Sequence, residues 1–198
     1  MRAADAAAAL DVWHRAWLDA YARPGGTTRR RIEELWAKRP GAEELARAAE
    51  RSRPGGDDAH LVAVLDGVVV GLAVARRGPG PQRLGALYVD APQRGRGAGA
   101  GLMAALDSFF DPHRPVELGA AAFNDGAMRF YARHGFEEVP GAQGLHDGLI
   151  PEVMMRRPAG RAGARGANAD AAAHLRALDR SRGATREDIL DELRRSRR

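Results

Sequence analysis

Hydrophobic and polar positions divide the chain into regions of different period. Through residue 51 the apolar residues recur at helical spacing. Leu10, Trp13, Trp17 and Tyr21, with Leu18 beside them, predict a first helix that Asp5 is placed to cap and that Pro24-Gly25-Gly26 ends. Thr28 opens a second helix carrying Ile32, Leu35 and Trp36, stopped by Pro40. Residues 42–51 form a third, more weakly apolar helix, and Pro54-Gly55-Gly56 closes this helical opening. The pattern then changes to strands. Residues 61–65 and 68–75 are joined at Asp66-Gly67, a strong two-residue hairpin signal. A Gly/Pro loop follows, and residues 83–89 complete an antiparallel meander. Further on come a strand at 116–122, a short helix at 127–134 stopped by Gly135, a strand opened by Phe136, a loop at 140–151 and a closing strand at 153–156.

The meander leads into residues 84–110, LGALYVDAPQRGRGAGAGLMAALDSFF. An apolar strand breaks at Asp90-Ala91-Pro92. Arg94-Gly95-Arg96-Gly97-Ala98-Gly99 follows, and a helical pattern then begins: Leu102, Met103, Leu106, Phe109, Phe110. A helix start leaves its first N–H groups without intrahelical partners, and the macrodipole adds partial positive charge there. Glycines let a bulky anion approach the backbone. The stretch therefore reads as a phosphate or pyrophosphate site, with Arg94 and Arg96 placed to add charge-assisted hydrogen bonds. A plain turn with a solvated arginine pair is the blander alternative. A loose dinucleotide fingerprint is present at Gly95-x-Gly97-x-x-Ala100, but five residues including a proline intervene after the strand, and no series of further βαβ units follows.

A second segment, VELGAAAFNDGAMRFYARHGFE at 116–137, combines a strand, a turn at Asn124-Asp125-Gly126 and the short helix. Arg94-x-x-Gly97-x-Gly99 resembles the acyl-CoA loop of the GNAT superfamily of N-acetyltransferases. Asn124, Ala127, Phe130, Tyr131, Gly135 and Phe136 are similar to that family's second CoA-contacting segment. The resemblance covers roughly residues 10–157 and is strongest over 84–137. It implies an α/β (α+β) fold: a mixed, mostly antiparallel twisted sheet splayed between its fourth and fifth strands, with helices on both faces. The family usually begins with a strand before the first helix. Here only residues 1–4 precede the helix, so that strand is missing or reduced to a stub.

The resemblance also implies a site. Acetyl-CoA, as cosubstrate, would lie in the splay, its pyrophosphate on Arg94, Gly95, Arg96, Gly97, Ala98 and Gly99. Its pantetheine arm would pair with backbone of Leu87, Tyr88 and Val89 like an added strand. Asn124, Ala127, Phe130 and Tyr131 would complete the cofactor contacts. An amine would attack the thioester directly, with the Val89 amide polarising the carbonyl and Tyr131 protonating the departing thiolate. The general base is open among His146, Glu152, Glu117 and Glu33, or a water held by backbone, with Asp147 and His60 ranked lower; His146 is the named candidate because its titration range suits base work. The Trp13, Trp17 and Tyr21 stripe reads either as core or as a wall of the acceptor pocket.

Composition limits these readings. There are no cysteines, which excludes disulfides, thiolate metal sites and cysteine nucleophiles, and no His/Asp/Glu cluster has metal spacing. No run approaches membrane-spanning length and the start lacks a signal-peptide layout, so a cytoplasmic protein without membrane partners is expected. Heavy Arg, Ala and Gly usage suggests a GC-rich bacterial genome. Residues 159–198 carry ten arginines and six acids out of a net charge of +5, leaving residues 1–158 nearly neutral. We expect residues 1–158 to form the acyltransferase domain, with 159–198 a Gly/Ala/Arg-rich linker and short basic helical tail. That tail reads as a solvated end or as a segment that docks on the body, a second subunit or a partner. The acceptor is expected to be a small-molecule amine or a peptide, nucleic acid is not an expected partner, and a homodimer fits the resemblance. A non-catalytic CoA-binding regulatory module with a partner-docking tail is the alternative from another functional class.

Overall fold

The computed structural model describes residues 1–52 and 56–160, so the tail from 161 onward, including its expected helices, lies outside the described residues. The three opening helices form as α1 (Ala6–Tyr21), α2 (Arg29–Trp36) and α3 (Ala42–Arg51). Thr28 caps α2, its hydroxyl accepting from the Arg31 N–H at 3.3 Å. Asp5 behaves differently from expectation. A single 3₁₀ turn, Ala3–Asp5, precedes α1, and the Asp5 carboxylate reaches back to accept from the Arg2 N–H at 3.0 Å instead of capping the helix forward. No strand precedes α1 among the described residues. The Met1 amino group instead donates to the His60 carbonyl at 2.8 Å.

Six strands make one sheet: β1 (Asp58–Leu65), β2 (Val68–Arg76), β3 (Gln82–Val89), β4 (Val116–Ala121), β5 (Glu137–His146) and β6 (Ile150–Arg157), in the order β1-β2-β3-β4-β6-β5. Asp66 and Gly67 both adopt positive φ, 49° and 79°, as a tight hairpin matched to strand twist requires. Five consecutive residues of β2, Val69 to Ala73, are buried because helices cover both faces of the sheet. On one face α4 (Ala98–Phe109) packs Leu102, Met103 and Leu106 over the sheet with Leu118, Phe136 and Met155. On the other, α1 and α3 bury Ala9, Val12 and Leu45 against Leu72. The turn after β4 leads into α5 (Asp125–Arg133), which starts two residues earlier than its apolar pattern predicts because Asn124 supplies the cap, accepting from the Ala127 N–H at 3.1 Å.

The late loop is a correction. Residues 140–151, expected to be irregular, belong largely to an antiparallel hairpin of β5 and β6 turning at Asp147 (φ 49°) and Gly148 (φ 69°). The same Asp-Gly signal that marks the first hairpin was present here. It was masked because β5 is an edge strand, mostly exposed, with no buried face to impose alternation. Pro140 is tolerated on such an edge, within a register irregularity between Glu138 and Gln143.

One pairing organises the site. β3 and β4 are parallel and pair only at Gln82↔Val116 and Arg83↔Glu117; beyond that they diverge. These are the fourth and fifth strands of the implied fold, with the first one missing. Gln82, fully buried, secures the closed end. Its amide donates to the carbonyls of Asp111 (2.9 Å) and Arg114 (3.3 Å) and accepts from the Asp111 N–H (2.8 Å). Replacing Gln82 by Leu would bury those backbone groups unpaired, and we expect a loss of roughly 2–4 kcal/mol in urea unfolding. A loss under about 0.5 kcal/mol would show that the clamp contributes nothing.

Candidate functional site

Past Arg83, the edge of β3 facing β4 has no strand partner. The Asp90 N–H donates to the Val70 carbonyl on β2 at 2.9 Å. By strand alternation the Val89 N–H and C=O face the opposite way, into the splay. The Val89 carbonyl accepts from Arg94 Nε there at 3.2 Å. A cavity of about 500 Å³ runs along this edge, and it is lined by residues of β3, the glycine loop, α1, β4 and α5.

Every predicted cofactor-contacting residue lines that cavity except Arg96 and Ala98: Leu87, Tyr88, Val89, Arg94, Gly95, Gly97, Gly99, Asn124, Ala127, Phe130 and Tyr131 all do. Ala98 is buried as the first residue of α4. Arg96 is exposed and donates to Gln93 Oε1 at 2.6 Å. Gly95 and Gly97 take φ of 77° and 88°, so the loop needs glycine there for its turns. Gly97 is the N-cap of α4, and the first helical N–H groups after it lack intrahelical partners. Arg94 also forms an ion pair with Asp19 at 2.5 Å, fastening α1 to the loop.

Tyr131 sits on α5, wedged edge-on between Phe130 and Phe136 at ring distances of 5.4 and 5.9 Å. It is 8% exposed, and among the described residues its hydroxyl has no hydrogen-bond partner. Burial pushes its pKa above the usual tyrosine value, so the phenol keeps its proton at neutral pH. Asn124, by contrast, is committed to capping α5.

The opposite wall is aromatic. Trp17 Nε1 donates to the Tyr88 hydroxyl at 2.9 Å, and the Tyr21 and Tyr88 hydroxyls are 3.0 Å apart. Burial, then the neighbouring Tyr88, raises the pKa of Tyr21 as well. The stripe on α1 thus divides between its two readings: Trp17 is fully buried core, while Tyr21 lines the cavity. Ala16 and Ala20 also line it, a pair of small residues four apart whose shared helix face was legible in the sequence.

The candidate bases are scattered. His146 is not in the cavity lining. It packs against Trp17 and Tyr21, with Nε2 3.3 Å from Arg39 Nη2 and Nδ1 3.7 Å from Glu152 Oε2. Glu117 is buried at the closed end of the splay and bound by Arg156 Nε at 2.9 Å. Glu33 lies on α2 against His14 Nε2 at 2.8 Å. Asp147 is paired with Arg39 at 2.7 Å. His60 is on β1 with Ser52 Oγ at 2.7 Å from its Nδ1. Glu152, on β6, lies directly against Gly119, which lines the cavity. The prominence of Gly119 was invisible in sequence, where it is one glycine inside a strand.

Among the described residues no group of His, Asp and Glu has the arrangement to hold a metal ion. A family model described as an acetyltransferase (GNAT) domain matches residues 28–157. No curated protein sequence matches the chain. Among solved structures, the PaiA N-acetyltransferase of Thermoplasma acidophilum, in complex with coenzyme A, superposes with a TM-score of 0.68 at 19% identity, covering 80% of this chain and 95% of its own. An acetyltransferase of the GNAT family from Streptococcus pneumoniae gives 0.61 at 15% identity, covering 79% and 95%. The ribosomal-protein-S18-alanine N-acetyltransferase of Escherichia coli gives 0.54 at 18% identity, covering 82% and 93%. At these identities the likeness concerns the fold.

Proposed function

The chain belongs to the GNAT acetyltransferase family, and from that premise we propose that it transfers the acetyl group of acetyl-CoA to a primary amine by direct attack. The observation that carries this reading is that one continuous cavity is lined by the Gly97 end of α4, the unpaired edge of β3 and Tyr131. The helix start and its glycines suit a pyrophosphate. The free backbone edge at Leu87–Val89 suits an extended amide-bearing arm, which pairs there as a strand would. The Val89 N–H, turned into the cavity, stabilises charge developing on the thioester oxygen. Tyr131 donates its proton to the sulfur as the C–S bond breaks, and its raised pKa keeps that proton available. The acceptor enters from the α1 side, past Tyr21 and Tyr88.

The test is thiol release from acetyl-CoA against a panel of small amines and N-terminal peptides, with the acetylated product identified by mass spectrometry. Amine-dependent release supports the reading. CoA binding with no turnover on any acceptor would favour a non-catalytic CoA-binding module. A narrower expectation concerns the loop. Gly97→Ala forces a side chain to φ 88°, at a cost of about 1–2 kcal/mol. We expect it to weaken CoA binding about tenfold by calorimetry, while the strain itself lowers the unfolding midpoint by a few degrees. Unchanged affinity would remove the loop from the phosphate site.

A further inference from the structure

Carboxylates around the cavity are neutralised by arginine. Asp19 pairs with Arg94, Asp90 with Arg15, Asp147 with Arg39 and Glu117 with Arg156. Glu152 is the exception: among the described residues no arginine or lysine comes within ion-pair distance of it, and the basic group at that distance is the His146 ring, with Nδ1 at 3.7 Å. The side chain is 27% exposed, so this carboxylate is partly withdrawn from water without a fixed cation. Such a group has strong reason to take a cation from elsewhere.

Its position says which one. Glu152 is opposite Ala121 on β4, so the two share a face of the sheet, the face on which Ala121 packs with Trp17 and Tyr21. The carboxylate lies in the notch left by Gly119, two residues back on the same face. A methyl group on Gly119 would come within 2.5 Å of Glu152 Oε2. Gly119, Ala121, Tyr21 and Tyr131 all line the same cavity, and the Glu152 carboxylate is near enough to Tyr21 to add to the rise in its pKa. Glu152 is not itself in the lining; its carboxylate lies just behind the cavity wall at Gly119, on the sheet face shared with Ala121 and Tyr21.

We propose that Glu152, seated in the Gly119 notch, binds the ammonium group of the acceptor and removes its proton. This rests on the acetyltransferase reading above. In the step, the ammonium gives one proton to the Glu152 carboxylate. The nitrogen lone pair then forms a C–N bond to the thioester carbon. The C–S bond breaks, with the Tyr131 proton passing to sulfur. The second nitrogen proton returns to the Tyr131 oxygen, and Glu152 releases its proton to solvent. The products are amide, free thiol and one proton. Substrate class follows: a primary amine that is protonated in solution, presented on a chain slim enough to pass Tyr21 and Tyr88.

The experiment compares wild type, Glu152→Gln, Glu152→Asp and Gly119→Ala. Binding of cadaverine, benzylamine and alaninamide to the CoA complex is followed by ligand-observed NMR, CoA affinity by calorimetry, and turnover of the same amines by thiol release. Gly119→Ala keeps the carboxylate but displaces it, and the group it meets is the flexible end of a side chain, so folding is preserved. The expected result is amine binding by wild type, a tenfold or greater loss in Glu152→Gln and Gly119→Ala, an intermediate loss in Glu152→Asp, and kcat lowered about 10²-fold in Glu152→Gln, with CoA affinity unchanged within twofold throughout. Amine binding and turnover in Glu152→Gln equal to wild type would overturn the proposal, as would a wild-type CoA complex that binds none of the three amines. A wild-type protein that does not bind CoA would instead overturn the acetyltransferase reading, and this assignment with it.

Discussion

Tyr131→Phe is expected to lower kcat for acetyl transfer by roughly 10²–10³-fold, the usual contribution of a positioned general acid. That corresponds to about 3–4 kcal/mol of transition-state stabilisation. The substitution keeps the ring that packs between Phe130 and Phe136, and among the described residues the hydroxyl it removes has no partner to leave stranded. Stability and CoA affinity should therefore stay within experimental scatter, which separates a chemical role from a structural one. Burial holds the phenol's pKa above its ordinary value near 10, so the proton remains in place as pH rises from 7 to 9, and ionisation of Tyr131 should not reduce turnover in that range. Steady-state thiol release, with calorimetry for CoA, checks all three points. A kcat within threefold of wild type would move the acid to Tyr21, Tyr88 or solvent.

Trp17→Ala is expected to cost about 3–5 kcal/mol, a large part of the stability of an ordinary domain. Trp17 is fully buried where α1 meets the sheet. Its ring meets Tyr21 at 5.4 Å, Trp36 at 5.6 Å and His146 at 5.6 Å, with the Arg39 guanidinium 4.4 Å above it. Removing it opens a cavity among groups from α1, α2 and β5, and it strips the Tyr88 hydroxyl of its indole donor. Trp17→Phe keeps most of the packing and loses that hydrogen bond, so about 1 kcal/mol from the bond itself is the expected difference in kind. Urea unfolding followed by circular dichroism checks both. Since Tyr21 and Tyr88 line the cavity, the amine KM should rise in Trp17→Phe more than CoA affinity falls. An equal change in both would place the aromatic wall outside the acceptor path.

Much of this protein follows from local pattern. The glycine loop was legible because two residues with φ near 80° and an open helix start can be met by few sequences other than glycine next to a strand end. Asn124 and Thr28 were legible as caps because a cap is a contact within three residues. Tyr131 and Phe130 were legible as a pair because adjacent helical residues leave the helix in different directions; both line the cavity, Phe130 beside Gly99 and Tyr131 next to Phe136.

Residues separated by long stretches of chain were not legible. Nothing in the sequence singles out Gln82, whose three hydrogen bonds close the splay from 29 to 32 residues away. Glu117 reads as a candidate base until Arg156 and Arg83 are seen around it. The hairpin of β5 and β6 lacks the alternation that betrays a half-buried strand, and its existence depends on the ladder that β6 offers at the sheet edge.

The sequence by itself determined the helices, the strand meander, the glycine loop and the tyrosine of α5, because each depends on dihedral preference, capping or apolar period within a dozen residues. Only the tertiary structure decided which carboxylate lies against the cavity wall. Glu33, Glu117, Asp147 and Glu152 are alike in sequence. They differ in whether the folded chain brings an arginine or histidine beside them or a glycine notch beneath them, and the electrostatics of a carboxylate are set by those neighbours.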